Sequence, residues 1–379
     1  MKLGVYIHIP FCRKKCLYCD FSSSARDVGR YYLSYTAALC REITGRGGVL
    51  SEYTVDTIYF GGGTPTLFPA DAFATMIERL KDCCAIENDA EITVEANPDT
   101  VNEDKLAALR GIGVNRISFG VQSFDDGVLK AAGRIHSSRA AKIAILTANK
   151  CGFDNISLDL MYGLPEQSLA SFGESLREAL ALPVHHLSVY GLKVEAATPF
   201  GEWLAAGRLA LPDEDEEDAM YSEVVKFLPE QGYHRYEISN YALTGYESRH
   251  NLKYWRYQPY LGLGAAAHSF LKGRRFANTK NIDEYSAMLG QGQLPTNEEE
   301  LLSIQNAMAE YVFLALRTAD GLEYIGFKER FGIDFIGRYG EVVKEMTAKG
   351  ALSQDKRGIR LTSVGMKYGN VVFAAFLPE

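Results

Sequence analysis

Six short apolar runs of strand character, most of them separated by stretches of helical periodicity, narrow the folds open to this chain more than any other feature. The runs are Val5–Ile9, Thr57–Phe60, Ile92–Glu95, Arg116–Val121, Ile156–Leu160 and His186–Tyr190. The helical stretches are Tyr31–Ile43, Ala70–Cys83, Glu103–Arg110, Ser138–Cys151 and Ser171–Leu182. Strands alternating with helices build parallel βαβ units. Six units are fewer than the eight that close a (β/α)8 barrel. The expectation is an α/β fold, an open partial (β/α)6 barrel with ligands at the carboxyl ends of its strands. No repeat of fixed period accompanies the pattern.

Loop signals follow several of these strands. They are Gly61-Gly62-Gly63-Thr64-Pro65, Asn97-Pro98-Asp99 and Gly163-Leu164-Pro165. The acidic run Asp213–Asp218 reads as a solvated helix start, where acids complement the helix dipole. From about Asn297 the pattern changes. Leu301–Leu316, Leu322–Phe331 and Phe335–Lys349 read as helices, and Ala351–Leu361 as a hairpin around Asp355-Lys356-Arg357-Gly358. That order resembles a winged helix. The chain therefore divides into a barrel (1–230), an extension (231–296) and a C-terminal winged-helix-like module (297–379). Charges of mixed sign in the last module argue for a structural or capping role over DNA binding.

The formal net charge of −8 offers no basic field for a nucleic-acid backbone. No apolar run approaches the ~18 residues of a membrane span. The first residues are too quickly polar for a signal peptide and read as the first strand, so a cytoplasmic protein is expected. Seven cysteines, three of them within eight residues, argue against a secreted disulfide framework and for metal ligation in a reducing compartment.

Those three are Cys12, Cys16 and Cys19, spaced C-x3-C-x2-C directly after the first strand. Three local thiolates can hold a 4Fe–4S cubane and leave one iron open to an outside ligand. A zinc site completed by another residue such as His8 is the competing reading. Cys40, Cys83, Cys84 and Cys151 lie on expected helices and read as small apolar residues.

Tyr6-Ile7-His8-Ile9-Pro10-Phe11-Cys12 through Cys16-Leu17-Tyr18-Cys19-Asp20-Phe21 resembles the radical-SAM proteins related to oxygen-independent coproporphyrinogen III oxidase. The resemblance runs over nearly the whole chain and implies a 4Fe–4S cluster binding S-adenosylmethionine. It also implies the cofactor contacts. Gly62, Gly63 and Thr64 match the loop that meets the methionyl amino group. Tyr6, Glu95, Gln122, Arg134 and Asp159 match the family's remaining contacts. Several of these stand at or near successive strand ends, the rim where α/β ligands sit. Considered singly, Glu95 and Arg134 also suit an ion pair, and Gln122 or Asp159 a helix cap. In the family the reduced cluster gives one electron to the sulfonium, yielding methionine and a 5′-deoxyadenosyl radical.

The family has two branches. Its oxidases carry a further cysteine two residues beyond the triad, where this chain has Phe21. Arg249-His250-Asn251-Leu252-Lys253-Tyr254-Trp255 resembles the H-N-x-x-Y-W motif of the HemW-type heme chaperones. That branch implies heme as a third ligand. His250 would serve as axial donor, Tyr254 and Trp255 as flat partners for the macrocycle, and Asn251 as part of the same site. It implies a recipient hemoprotein and no nucleic acid. It allows a peripheral contact with a membrane hemoprotein, and either a monomer or a homodimer formed on cluster loading. The alternative function is oxidative decarboxylation of coproporphyrinogen III in porphyrin biosynthesis. His268 reads as a packed core histidine, and His185 and His186 as structural.

Overall fold

The computed structural model describes residues 1–378. Its centre is one open sheet. Six parallel strands stand side by side in chain order: β1 (Lys2–Ile9), β2 (Thr54–Gly62), β3 (Ala85–Ala96), β4 (Arg116–Gln122), β5 (Ile156–Tyr162) and β6 (His186–Gly191). Beyond β6 lie β7 (His234–Arg235) and β8 (Asn240–Ala242), with β8 antiparallel to β6. Beyond β1 lie β9 (Tyr260–Leu263), β10 (His268–Leu271), β11 (Arg274–Asn278) and β12 (Thr296–Leu301). The order β12-β11-β10-β9-β1-β2-β3-β4-β5-β6-β8-β7 does not close, as the strand count anticipated.

Alternation along the strands sorts two kinds of side chain. One parity is apolar: Val5 and Ile7 on β1, Ile58 and Phe60 on β2, Ile117 and Phe119 on β4. These pack into a single core with Leu39, Phe73, Leu106, Ile145 and Leu176 of the connecting helices. The other parity is polar. It carries Thr57 and Tyr59, Thr93 and Glu95, Arg116 and Ser118, Ser157 and Asp159, His186 and Ser188. A closed barrel of this lineage usually fills its interior with branched apolar residues. Here that face is polar and carries ionisable groups, which suits a ligand chamber.

The segment read as a separate extension contributes strands to both flanks of this sheet, and Leu261, Leu263, Tyr285 and Leu289 join the main core. The change of pattern at 297 falls inside β12, so the sheet continues to Leu301 and the helices of the second core begin at Ile304. Helices Ile304–Leu316, Tyr324–Phe331 and Phe335–Ala348 pack with a small sheet of β13 (Leu322–Glu323), β14 (Leu352–Gln354) and β15 (Gly358–Leu361). Val312, Phe327, Phe335, Val343 and Ile359 centre that core. β13 and two short helices, Ser363–Lys367 and Gly369–Ala374, were too brief for periodicity to reveal.

The acidic run begins a helix as expected: Asp213 caps Glu214–Glu230, accepting from the Glu216 amide at 2.8 Å. Asp218 of that helix also pairs with Lys367, tying the two cores together. β12 is an outer strand, exposed along most of its length, with Glu298, Glu299 and Glu300 in succession. His268 corrects the sequence reading: it opens β10 and is exposed, because the tight turn before it leaves nothing to cover it. His186 is structural as read, its ring held between Ser157 Oγ (2.8 Å) and Tyr236 Oη (2.7 Å).

Candidate functional site

The cluster loop leaves β1 and is pinned at both ends. The Cys12 amide donates to Ser24 O at 3.0 Å, and the Ser24 amide donates to Pro10 O at 2.8 Å. Phe11 is fully buried and packs edge-on against Tyr35, with ring centroids 5.3 Å apart. The backbone is thus anchored by an apolar plug while the thiols between the pins stay half-buried. All seven cysteines are free, and Cys12, Cys16 and Cys19 line one cavity of about 390 Å³. Among the described residues, no three His, Cys, Asp or Glu side chains converge as a single-ion site. Thiols spread around one wall suit a polynuclear cluster, in which each thiolate takes a different iron. Burial pushes the Cys12 and Cys19 thiols above their ordinary range, so iron must displace their protons.

The loop after β2 is built for close approach. Gly62 has φ +117°, and a Cβ there would meet the His8 ring at 2.5 Å. A Cβ at Gly63 would strike the backbone of Phe11 at 2.6 Å. Only glycines let this turn lie on the cluster loop, where the Gly63 amide donates to Ile9 O and the Thr64 amide to Phe11 O. The Thr64 hydroxyl stands 3.7 Å from Cys12 Sγ and accepts from Asn97 Nδ2 at 3.1 Å.

The same cavity is walled by Gly62, Gly63, Thr64, Glu95, Gln122, Arg134 and Asp159, all anticipated from the family resemblance. Gln122 ends β4 in a left-handed conformation, φ +71°. Glu95 and Arg134 are not an ion pair. Glu95 accepts from Tyr59 Oη (2.8 Å) and from the Gly62 amide (3.1 Å). Arg134 donates to Cys16 Sγ at 3.3 Å, to Asn97 Oδ1 at 2.9 Å and to Gly120 O. Asp159 accepts from Ser118 Oγ at 3.4 Å. Tyr6 does not line this cavity; its hydroxyl is held 2.9 Å from His8 Nδ1.

The sequence reading missed further wall residues: Tyr59, Asn97, Arg116, Ser118, Ser188 and Tyr190. Apart from Asn97, which follows β3, their signal was present as polar residues at every second position within otherwise apolar strands. Arg116 is 1% exposed, and its Nε finds no partner among the described residues. Its charge faces Glu95 and Asp159.

Burial pushes the Glu95 carboxyl up to about 7 and the Asp159 carboxyl up to about 6. Between the ordinary carboxylate range and these values the folded chain holds protons that the unfolded chain has released. The part of the cofactor-free protein's stability that these two carboxyls contribute is therefore expected to fall as pH rises from about 5 to about 7.5, against the opposite trend set by His8, His136, His186 and His250, whose pKa values burial lowers. A cationic ligand favours the ionised carboxylates, so stabilisation by S-adenosylmethionine should grow over the same window. Melting temperatures across this range test both signs. Glu95→Gln should shift the slope of the cofactor-free protein toward stability that rises with pH and should flatten the ligand's trend, and an unchanged slope in that variant would refute the assignment.

The H-N-x-x-Y-W residues lie on the helix Arg249–Trp255. Ser248 caps it, and Glu91 accepts from the free amides of Arg249 (3.0 Å) and His250 (2.9 Å). Lys253 anchors its underside through Asp56 at 2.7 Å. His250 is buried with both ring nitrogens engaged, Nδ1 with Thr57 Oγ1 and Nε2 with Tyr254 Oη, each at 2.8 Å. Burial lowers its pKa to about 3, so the ring is neutral, the form that binds metals. Asn251 lines the cluster cavity. Trp255 faces the other way, under the Arg317 guanidinium at 4.4 Å from the ring centroid. The four residues do not share one open face in this conformation.

A cysteine-lined cavity at the carboxyl ends of six parallel strands in an open partial barrel is the arrangement expected of a radical SAM protein. Residues 6–179 match the radical SAM superfamily and residues 302–367 the HemN C-terminal domain. The chain belongs to the heme chaperone HemW family. It is 37% identical to heme chaperone HemW of Bacillus subtilis over 99% of both chains. It is 35% identical to that of Escherichia coli, over 100% of this chain and 98% of the relative. Among solved structures, coproporphyrinogen III oxidase (HemN) from Escherichia coli superimposes with a TM-score of 0.86 at 24% identity. That match covers 99% of this chain and 89% of that one, a likeness of fold.

Proposed function

We propose that this protein is a heme chaperone: it binds heme, carries a 4Fe–4S cluster with S-adenosylmethionine, and passes heme to a recipient hemoprotein. The full-length likeness to curated heme chaperones is the observation that carries this reading. Cys12, Cys16 and Cys19 would hold the cluster. When bound, the cluster supplies the electron that can cleave a sulfonium carbon–sulfur bond. Gly62, Gly63 and Thr64 would take the methionyl end of the nucleoside, and Glu95, Gln122, Arg134 and Asp159 would order the remainder. Arg134, donating to Cys16 Sγ, withdraws negative charge from that sulfur.

His250 is the proposed axial ligand to heme, with Asn251, Tyr254 and Trp255 around it. Ligation through Nε2 requires the Tyr254 hydroxyl to let go, so the described conformation is the heme-free one in this reading. No helix of the described residues is long and apolar enough to cross a membrane. Seven free thiols fit a cytoplasmic, reducing site of action. A peripheral contact with a membrane hemoprotein and a homodimer formed on cluster loading belong to the same proposal. The oxidase reading is disfavoured by Phe21, 66% exposed at the place of the oxidases' extra cysteine.

Heme titration tests the function. Wild type should develop a Soret band, with the cluster loaded or unloaded, and His250→Ala should lose it. A chain that never binds heme would refute the chaperone reading. Full binding by His250→Ala would refute the ligand. Conversion of coproporphyrinogen III by reduced, S-adenosylmethionine-loaded protein would restore the oxidase.

A further inference from the structure

The two ligand sites share a side chain between them. The His250 ring stacks on Tyr59, with centroids 5.1 Å apart and planes inclined by 27°. The Tyr59 hydroxyl donates to Glu95 Oε1 at 2.8 Å, and Glu95 Oε2 accepts from the Gly62 amide at 3.1 Å. Glu95 and Gly62 are walls of the cluster cavity. Tyr6 completes the stack, 6.1 Å from Tyr59 and 6.4 Å from His250.

This column has no slack. A Cβ on Gly61 would meet Tyr59 at 2.9 Å, Tyr6 at 3.0 Å and Glu95 at 3.1 Å. A Cβ on Gly4 would meet Lys253 at 2.7 Å and His250 at 3.3 Å. Glycines are used where the column touches β1 and β2, so any movement of His250 must be answered by Tyr59. Packed interiors of this kind switch between discrete arrangements.

We propose that Tyr59 is a positioning residue that sets heme and S-adenosylmethionine against each other: drawing His250 toward iron unstacks Tyr59 and loosens Glu95 and Gly62. The inference rests on His250 being the heme ligand. It gives the nucleoside a part in heme transfer, since filling its pocket fixes Glu95, restores the stack and pulls His250 back from heme. Linkage makes the effect reciprocal: the factor by which heme weakens the nucleoside equals the factor by which the nucleoside weakens heme.

The test uses the full chain, anaerobically reconstituted. Hemin affinity is read from the Soret band with and without saturating S-adenosylmethionine. S-adenosylmethionine affinity is read by equilibrium dialysis with and without hemin. The expected coupling is on the order of fivefold or more, antagonistic and equal in both directions. Tyr59→Phe keeps the ring and removes the hydroxyl, and should bring the factor close to one. Tyr59→Leu, which also removes the stack, should do the same. A merely structural Tyr59 would weaken both affinities and leave the factor intact, which overturns the proposal. Zero or positive coupling in wild type also overturns it, while His250-dependent hemin binding would leave the chaperone reading standing. Hemin binding that ignores His250 overturns this proposal and the assignment of the ligand, and leaves the chaperone reading standing.

Discussion

Cys16→Ser, given ferrous iron and sulfide under anaerobic conditions, is expected to assemble no stable cubane, whereas Cys40→Ser and Cys151→Ser should load as wild type. A 4Fe–4S centre that keeps one iron open has three protein thiolates and none to spare. Among the described residues no further cysteine reaches the cavity that Cys12, Cys16 and Cys19 line. Cys16 carries an additional burden, because Arg134 Nη1 donates to its sulfur and joins it to Asn97 and Gly120. The variant should remain folded. Its loop is fixed by Phe11 and by the hydrogen bonds between Cys12, Ser24 and Pro10, none of which involves a thiol. Iron and sulfide analysis with circular dichroism separates the outcomes. A full complement of both in Cys16→Ser would remove the basis of the cofactor assignment.

Lys253→Met should cost about 3–5 kcal/mol of stability, the usual penalty for leaving one partner of a buried ion pair unmatched. The Lys253 side chain is 3% exposed and meets Asp56 at 2.7 Å, beneath the helix that carries His250. The loss should be read at Trp255, one of two tryptophans in the chain and two residues along the same helix. Replacing both partners, Lys253→Met with Asp56→Leu, should recover most of the loss, because apolar groups of similar volume need no compensating charge. Chemical denaturation followed by fluorescence measures both. If Lys253→Met unfolds like wild type, the pair does not hold the helix, and the column from His250 to Glu95 loses its foundation.

Much of this architecture was readable from periodicity. Strands of six to twelve residues between amphipathic helices announce themselves, and all six barrel strands stand where the apolar runs lay. Gly62 and Gly63 were legible because a left-handed or sterically closed turn leaves few other choices. The flanking strands were harder. β7 and β8 have two and three residues, too few for an alternation to show. Chamber residues such as Arg116 and Ser188 were harder, because they stand within strands and are marked only by polarity at alternate positions. His250 was legible as a residue of interest, but its surroundings were not. Its contacts with Thr57 and Tyr59 cross nearly two hundred positions of sequence, a pairing set only by β2 lying beneath the helix.

β12 has a last consequence. A bare outer strand is a template on which a second chain can extend the sheet. Glu298 and Glu300 line this one with negative charge beside Glu299, which pairs with Arg274 at 2.7 Å, so a visiting strand would have to bury or repel carboxylates to settle there. Runaway polymerisation through that flank is discouraged.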